Sequence, residues 1–165
     1  MIKQEIRTRR LAWEIMKKAA FRDRRLSDVT AEIFRREGNI INDQERRFVT
    51  MLVQGTVRLS GRLDWELRQV FVGDYKDLKE NLRILLRLGV FQLYYMDSIP
   101  DYAAVTTTVQ LAKKIHNNQN IFPSSFKDNS LDIWLKSNSI TEVNKKWPSK
   151  KAPLSFNKLN ISSFI

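Results

Sequence analysis

The 165-residue chain contains no cysteine. Disulfides, thiolate zinc sites, iron–sulfur clusters and cysteine nucleophiles are therefore excluded for this chain. Its one histidine, His116, leaves no His-rich metal site and no Ser-His-Asp triad except one built on that residue. Five glycines are spread singly, so no glycine-rich loop cradles a phosphate or a cofactor, and none is expected. Long apolar runs are absent too: Leu88 to Met96, the most apolar stretch, is too short to cross a bilayer. The opening Met1-Ile2-Lys3-Gln4-Glu5 has no apolar signal core, which predicts a cytoplasmic chain with no membrane partner. Acid is scarce relative to base. Eighteen carboxylates face 29 lysines and arginines, for a net charge of +11. An excess of that size favours a polyanionic partner, nucleic acid ahead of an anionic membrane surface.

Residue type divides the chain near His116. Residues 1–115 hold 15 Arg and 7 Lys, whereas 116–165 hold no Arg, 7 Lys, 8 Asn and 9 Ser. The tail's best apolar segment, Leu131-Asp132-Ile133-Trp134-Leu135, predicts at most one short helix. Pro148 and Pro153 follow among polar residues without sustained periodicity, so 116–165 reads as a poorly ordered tail. The swap of Arg for Lys, Asn, Ser, Ile and Phe also fits A/T-rich coding. A frameshift near residue 116 is one expectation from it, testable by reading the gene in its other frames.

Residues 1–115 read as helices, with no alternating segment of strand length. Positions 2 to 20 form one amphipathic segment. Asn42-Asp43-Gln44-Glu45 has the form of a helix start, with the Asn42 side chain accepting an amide hydrogen and Glu45 reaching back. The helix it opens places Phe48, Leu52, Gly55, Thr56 and Leu59 on one face. A short helix from Leu63 to Phe71 follows, closed by Gly73. Leu78, Leu82, Leu85, Leu86, Gly89, Val90 and Leu93 then repeat at helical spacing, flanked by Ile84, Leu88, Phe91 and Tyr95. A helix apolar around so much of its circumference belongs at the centre of a bundle. Pro100 precedes a last helix from Tyr102 to Ile115, with His116 as its C-terminal cap. Trp13, Trp65, Phe91 and Tyr94 are read as core, and Tyr102 as exposed. The fold class is all-α.

The first helix carries the functional signal. At about 100° per residue, Lys3, Arg7, Arg10, Lys17 and Lys18 share one arc with a single acid, Glu14. Ile2, Ile6, Trp13, Met16 and Ala20 cluster on a neighbouring face, with Leu11 and Ile15 outside both. Arg9 projects toward the apolar side, either snorkelling or preceding the regular helix. Arg22, Arg24 and Arg25 carry the charge into the next loop. A row of cations on a rigid rod can follow a phosphate backbone, and arginine grips phosphate through two parallel hydrogen bonds. A solvated helix face is the competing reading of the same row. Asp43 and Glu45 are explained by capping rather than by paired-carboxylate catalysis.

In order along the chain stand Arg7-Thr8-Arg9-Arg10-Leu11-Ala12, Asp43-Gln44-Glu45-Arg46-Arg47-Phe48-Val49 and Leu52-Val53-Gln54-Gly55-Thr56-Val57-Arg58. Leu63-Asp64, Leu85-Leu86-Arg87-Leu88-Gly89-Val90-Phe91-Gln92-Leu93, Ile99-Pro100-Asp101-Tyr102-Ala103-Ala104-Val105 and Leu111-Ala112-Lys113-Lys114 complete the series. It resembles the NusB family, and especially the NusB-type N-terminal domain of the bacterial rRNA cytosine-5 methyltransferases (Sun/RsmB), over residues 5 to 115. The resemblance implies an all-α bundle of two packed three-helix halves. It implies binding of single-stranded RNA, of the boxA kind or ribosomal, partnership with a NusE-type ribosomal protein, and support of antitermination during rRNA transcription. RNA contact would fall on Arg7, Arg9 and Arg10, with Lys3 as a neighbour; Lys17, Lys18, Arg22, Arg24 and Arg25 are added from the charge pattern. Two departures stand out. Thr106-Thr107 replaces the family's usual Asn-Glu, and nothing after His116 matches its final helix, which is therefore missing or replaced. Such a loss is expected to expose apolar surface. Three functions follow: a non-catalytic RNA-binding module, a truncated RNA-targeting domain of a 16S rRNA methyltransferase, or a protein-interaction scaffold. The methyltransferases of this resemblance use cysteine nucleophiles and S-adenosylmethionine, and this chain has neither the cysteine nor a cofactor loop.

Overall fold

A computed structural model describes residues 2–70 and 75–119, and every regular element among them is helical. Six α-helices follow one another: α1 (Ile2–Arg22), α2 (Leu26–Glu37), α3 (Asp43–Arg58), α4 (Ser60–Val70), α5 (Glu80–Tyr95) and α6 (Asp101–Gln119). The start of α3 is set locally, as its sequence predicts. Asn42 Oδ1 accepts from the Glu45 amide at 2.9 Å, and Glu45 Oε2 accepts from the Asn42 amide at 2.9 Å. This reciprocal pair satisfies two amides that the first turn would otherwise leave open.

Two helices are central, where the sequence pattern pointed to one. Helix α5 packs against α1, α3, α4 and α6, and α1 packs against α2, α3, α5 and α6. The first three helices form one half around α1 and the last three a second half around α5. The halves join where α1 meets α5 and α6 and where α3 meets α5. Leu11 and Ile15, which fall off the predicted apolar face, are fully buried beside Ile6, Trp13 and Met16, while Ala20 is exposed. A helix covered on several sides needs apolar residues on several sides, so an amphipathic pattern that looks imperfect is the correct pattern for that position. Each fully buried leucine or isoleucine here stabilises the fold by roughly 1.5–3 kcal/mol relative to exposure. Close approach is built in at Gly89, where an added Cβ would lie 3.0 Å from Thr108 Cγ2 on α6.

Several boundaries differ from expectation. Helix α2 was not anticipated, because only Val29 and Ile33 are fully buried on it and its other residues are mostly polar. Its narrow stripe of Leu26, Val29, Ile33 and Phe34 suffices because α1 supplies the rest of the cover. Helix α4 begins at Ser60, earlier than predicted, with Leu59 alone separating it from α3. Helix α6 runs on through residue 116, so His116 does not cap it. Trp65 is 52% exposed rather than core, whereas Tyr102 is exposed as expected. Gly73, proposed as a helix stop, and the tail beyond residue 119, with its 131–135 segment, lie outside the described residues.

Candidate nucleic-acid interface

Helix α1 was expected to present its cations in a row, and the two arginines nearest its start do something else. Arg9 is 5% exposed. Its Nε donates to Gln92 Oε1 on α5, and its guanidinium lies over the Phe48 ring of α3, 5.3 Å from the centroid. Gln92 is itself oriented by donating Nε2 to the Leu88 carbonyl at 2.9 Å. Arg9 thus ties three helices together inside the core and presents nothing to a ligand. Arg7 Nη2 donates to both Glu45 carboxylate oxygens at 2.9 and 3.1 Å and to the Ile40 carbonyl at 2.8 Å. The carboxylate that caps α3 is therefore held from outside by α1. Arg9 lies where the projection put it, on the apolar side, whereas Arg7 is drawn from the exposed row by Glu45 of α3, a partner that a single-helix projection does not include.

Farther along α1, cations and carboxylates interleave across the α1–α2 face. Arg36 of α2 grips Glu14 with Nη1 to Oε1 at 2.6 Å and Nη2 to Oε2 at 3.0 Å. Lys18 lies 3.6 Å from Glu14 and donates to Glu32 at 3.3 Å, and Arg24 Nη1 donates to the other Glu32 oxygen at 2.6 Å. The Arg36 hydrogen bonds outweigh burial and hold the Glu14 carboxyl below its usual range. Arg24 and then Lys18 do the same for Glu32. The corner itself is tight: Asp23 adopts φ 47, and the Arg24 amide returns to the Ala19 carbonyl at 3.3 Å. Aspartate is among the few non-glycine residues that enter this left-handed region at modest cost.

Exposure defines what a ligand can reach on this face. Arg10 and Arg25 are exposed, and half-buried Lys17 sits 4.9 Å above the Trp13 ring centroid. Arg35 of α2, absent from the sequence-based set, is also exposed. The side chains of Lys3 and Arg22 fall outside the described residues. The structure therefore gathers Lys18 and Arg24 around Glu32, leaves Arg10 and Arg25 solvent-facing, pairs half-buried Arg7 with Glu45 and buries Arg9.

A second charged cluster, between α4 and α5, is structural. Arg87 donates through Nε and Nη2 to the two Asp64 oxygens at 2.7 and 2.9 Å, and through Nη1 to Glu80 at 2.9 Å; the Tyr75 hydroxyl donates to Asp64 at 2.7 Å. Burial alone would raise the Asp64 carboxyl, but Arg87 and Tyr75 outweigh it and the net shift is downward. This cluster locks α4 to α5. Among the described residues no three His, Asp or Glu side chains converge as a metal site, and no helix is long and apolar enough to cross a membrane. The outer face of α4 was missed by the sequence reading. There the Arg62 guanidinium stacks 4.7 Å from the centroid of exposed Trp65, and Arg68 lies 5.8 Å over the Tyr75 ring. A helical projection of α4 alone contains the signal: Gly61, Arg62, Trp65, Arg68 and Gln69 share one arc opposite Leu63 and Leu67.

Comparison with known proteins follows this geometry. The NusB family matches residues 6–121. Among curated proteins, the chain is 43% identical over 75 residues to a probable ribosomal RNA small subunit methyltransferase B of Synechocystis sp., covering 44% of this chain and 16% of that protein. It is 36% identical over 77 residues to the corresponding Bacillus subtilis protein, covering 47% of this chain and 17% of that one. It is 28% identical over 102 residues to the transcription antitermination protein NusB of Shouchella clausii, covering 59% of this chain and 77% of that protein. The chain thus spans a small N-terminal-domain-sized share of the methyltransferases it matches, and most of the antitermination protein.

Proposed function

The chain belongs to the NusB family over residues 6–121, and from that membership we propose that it is a non-catalytic RNA-binding module acting in rRNA transcription. The observation that carries the reading is the conjunction of that family match with a basic α1–α2 face. On it Arg10 and Arg25 are exposed and half-buried Lys17 lies over Trp13, beside the Lys18–Glu32–Arg24 cluster. The contact surface we assign comprises Arg10, Lys17, Lys18, Arg24 and Arg25, with Lys3 and Arg22 retained from the charge pattern. Arg7 and Arg9 are assigned to the scaffold. Single-stranded RNA, of boxA type or ribosomal, is the ligand whose charge and form such a face fits.

The test is titration of the full chain with single-stranded RNA at several salt concentrations. Binding is expected to weaken steeply as salt rises, since phosphate contacts release counterions. The combined variant Arg10→Glu, Lys17→Glu, Arg25→Glu is expected to lose about tenfold or more in affinity. Unchanged affinity in that variant would refute the assignment.

A second reading is favoured by the higher identities: this is the RNA-targeting region of a small-subunit rRNA methyltransferase, in the manner of the Synechocystis and Bacillus subtilis relatives. Tighter binding to 16S rRNA fragments than to boxA-containing leader RNA would select it. The interaction-scaffold reading, with a NusE-type ribosomal protein as partner, predicts co-purification that survives nuclease treatment and no RNA affinity.

A further inference from the structure

We propose that the outer face of α4 is a second single-stranded RNA contact, in which one base stacks on the Trp65 indole. The inference rests on the RNA-binding reading above but uses a different helix, in the other half of the molecule.

A tryptophan 52% exposed on a regular helix leaves a large apolar ring in water, and here nothing about helix packing requires it. Leu63 and Leu67, both fully buried, already fill the inner side of α4. Arg62 lies against one face of the indole, and Arg62 is held in turn by its Nε donating to Glu66 Oε1 at 2.6 Å. Glu66 is only 4% exposed, so the anchor points inward. The result is an exposed indole with an anchored guanidinium over it. Indole and guanidinium planes are both surfaces on which nucleobases stack.

Charge favours RNA over a protein occupant. The exposed arc of α4 comprises Gly61, Arg62, Trp65, Arg68 and Gln69 and contains no carboxylate. Arg68, over the Tyr75 ring, stands one turn beyond Trp65, which places a cation where a phosphate flanking a stacked base would lie. Gln69, whose Nε2 donates to the Trp65 carbonyl at 3.4 Å, adds an amide oxygen able to accept from a base edge. Stacking on an aromatic is tolerant of sequence, so the contact adds affinity rather than specificity.

The test is anisotropy of labelled oligouridylate with the full chain, its Trp65→Leu and Trp65→Phe variants, and the Arg10/Lys17/Arg25 triple variant. Trp65→Leu is expected to weaken binding about 5- to 100-fold, and Trp65→Phe distinctly less, because an aromatic face is kept. Arg68→Gln is expected to lower the slope of log affinity against log salt by about one phosphate's worth. If Trp65→Leu binds within about twofold of the parent while the triple variant fails, the α4 contact is overturned and the proposed function stands. If the parent itself does not bind, both fall. If Trp65→Leu abolishes a concentration-dependent self-association and leaves RNA affinity intact, the face belongs to a second copy of this chain and the proposal is overturned.

Discussion

Helices α1 and α4 invert one another's apparent logic. By composition α1 should turn its cations to solvent and α4 its tryptophan to the core. Instead Arg9 of α1 is buried against Gln92 and Phe48, while Trp65 of α4 stands outside under Arg62. The difference lies in what each helix meets. Helix α1 is covered by four others; α5 supplies the Gln92 acceptor and α3 the Phe48 ring that make a buried guanidinium tolerable. Helix α4 packs mainly on α5, so one narrow apolar side suffices and the opposite arc faces water whatever residues occupy it. Side-chain type alone therefore identifies neither an interface nor a core; the number of neighbours decides.

The largest expected effect breaks or upholds that contrast directly. Arg9→Ala should destabilise the fold by about 3 kcal/mol in urea titration, because it leaves a void and strands the Gln92 carbonyl oxygen. Arg10→Ala, one residue on, should stay within about 0.5 kcal/mol. Equal costs would mean that both arginines share one environment. Next, Asp64→Asn should cost about 1–2 kcal/mol at neutral pH by weakening the grip of Arg87 that fixes α4 on α5. The Asp64 carboxyl is held below its unfolded value of 3.8, so its contribution is full above that pH and lost as pH falls through the lower folded value. The gap between parent and variant should accordingly close in unfolding experiments below pH 3.8. A smaller loss, about 1 kcal/mol, is expected for Glu45→Gln, which disturbs the α3 cap and its hold on Arg7 together. Trp65→Leu should be smallest of all, within about 0.5 kcal/mol by thermal unfolding; a large loss would return Trp65 to the core.

Elements whose cause is local were legible in the sequence. The Asn42–Glu45 cap needs only residues three apart, and the apolar girth of α5 states its central position without reference to any neighbour. The mostly buried α1 is legible only in retrospect, because Leu11 and Ile15 read as irregularities until α2, α5 and α6 are set around them. Helix α2 escaped notice for the opposite reason: its polar residues outweigh a stripe that makes sense only against α1. For the candidate interface, the helical projection of α1 holds no information about partners on other helices. Glu32 and Arg36 come from α2, Glu45 from α3 and Gln92 from α5, and it is these four that decide which cations face outward.

The double cover of α1 also sets an order of events during synthesis. This helix precedes all the others described, yet the partners that shelter Leu11, Trp13 and Ile15 include α5 and α6, the last described elements of the chain. At translation rates of about 5–20 residues per second, the interval before those partners emerge is roughly 5–20 seconds. Throughout it a long, oily rod must stay soluble on its own. The cations spaced along that rod, including one whose destination is the interior, give the nascent chain the charge that keeps it from sticking to its neighbours.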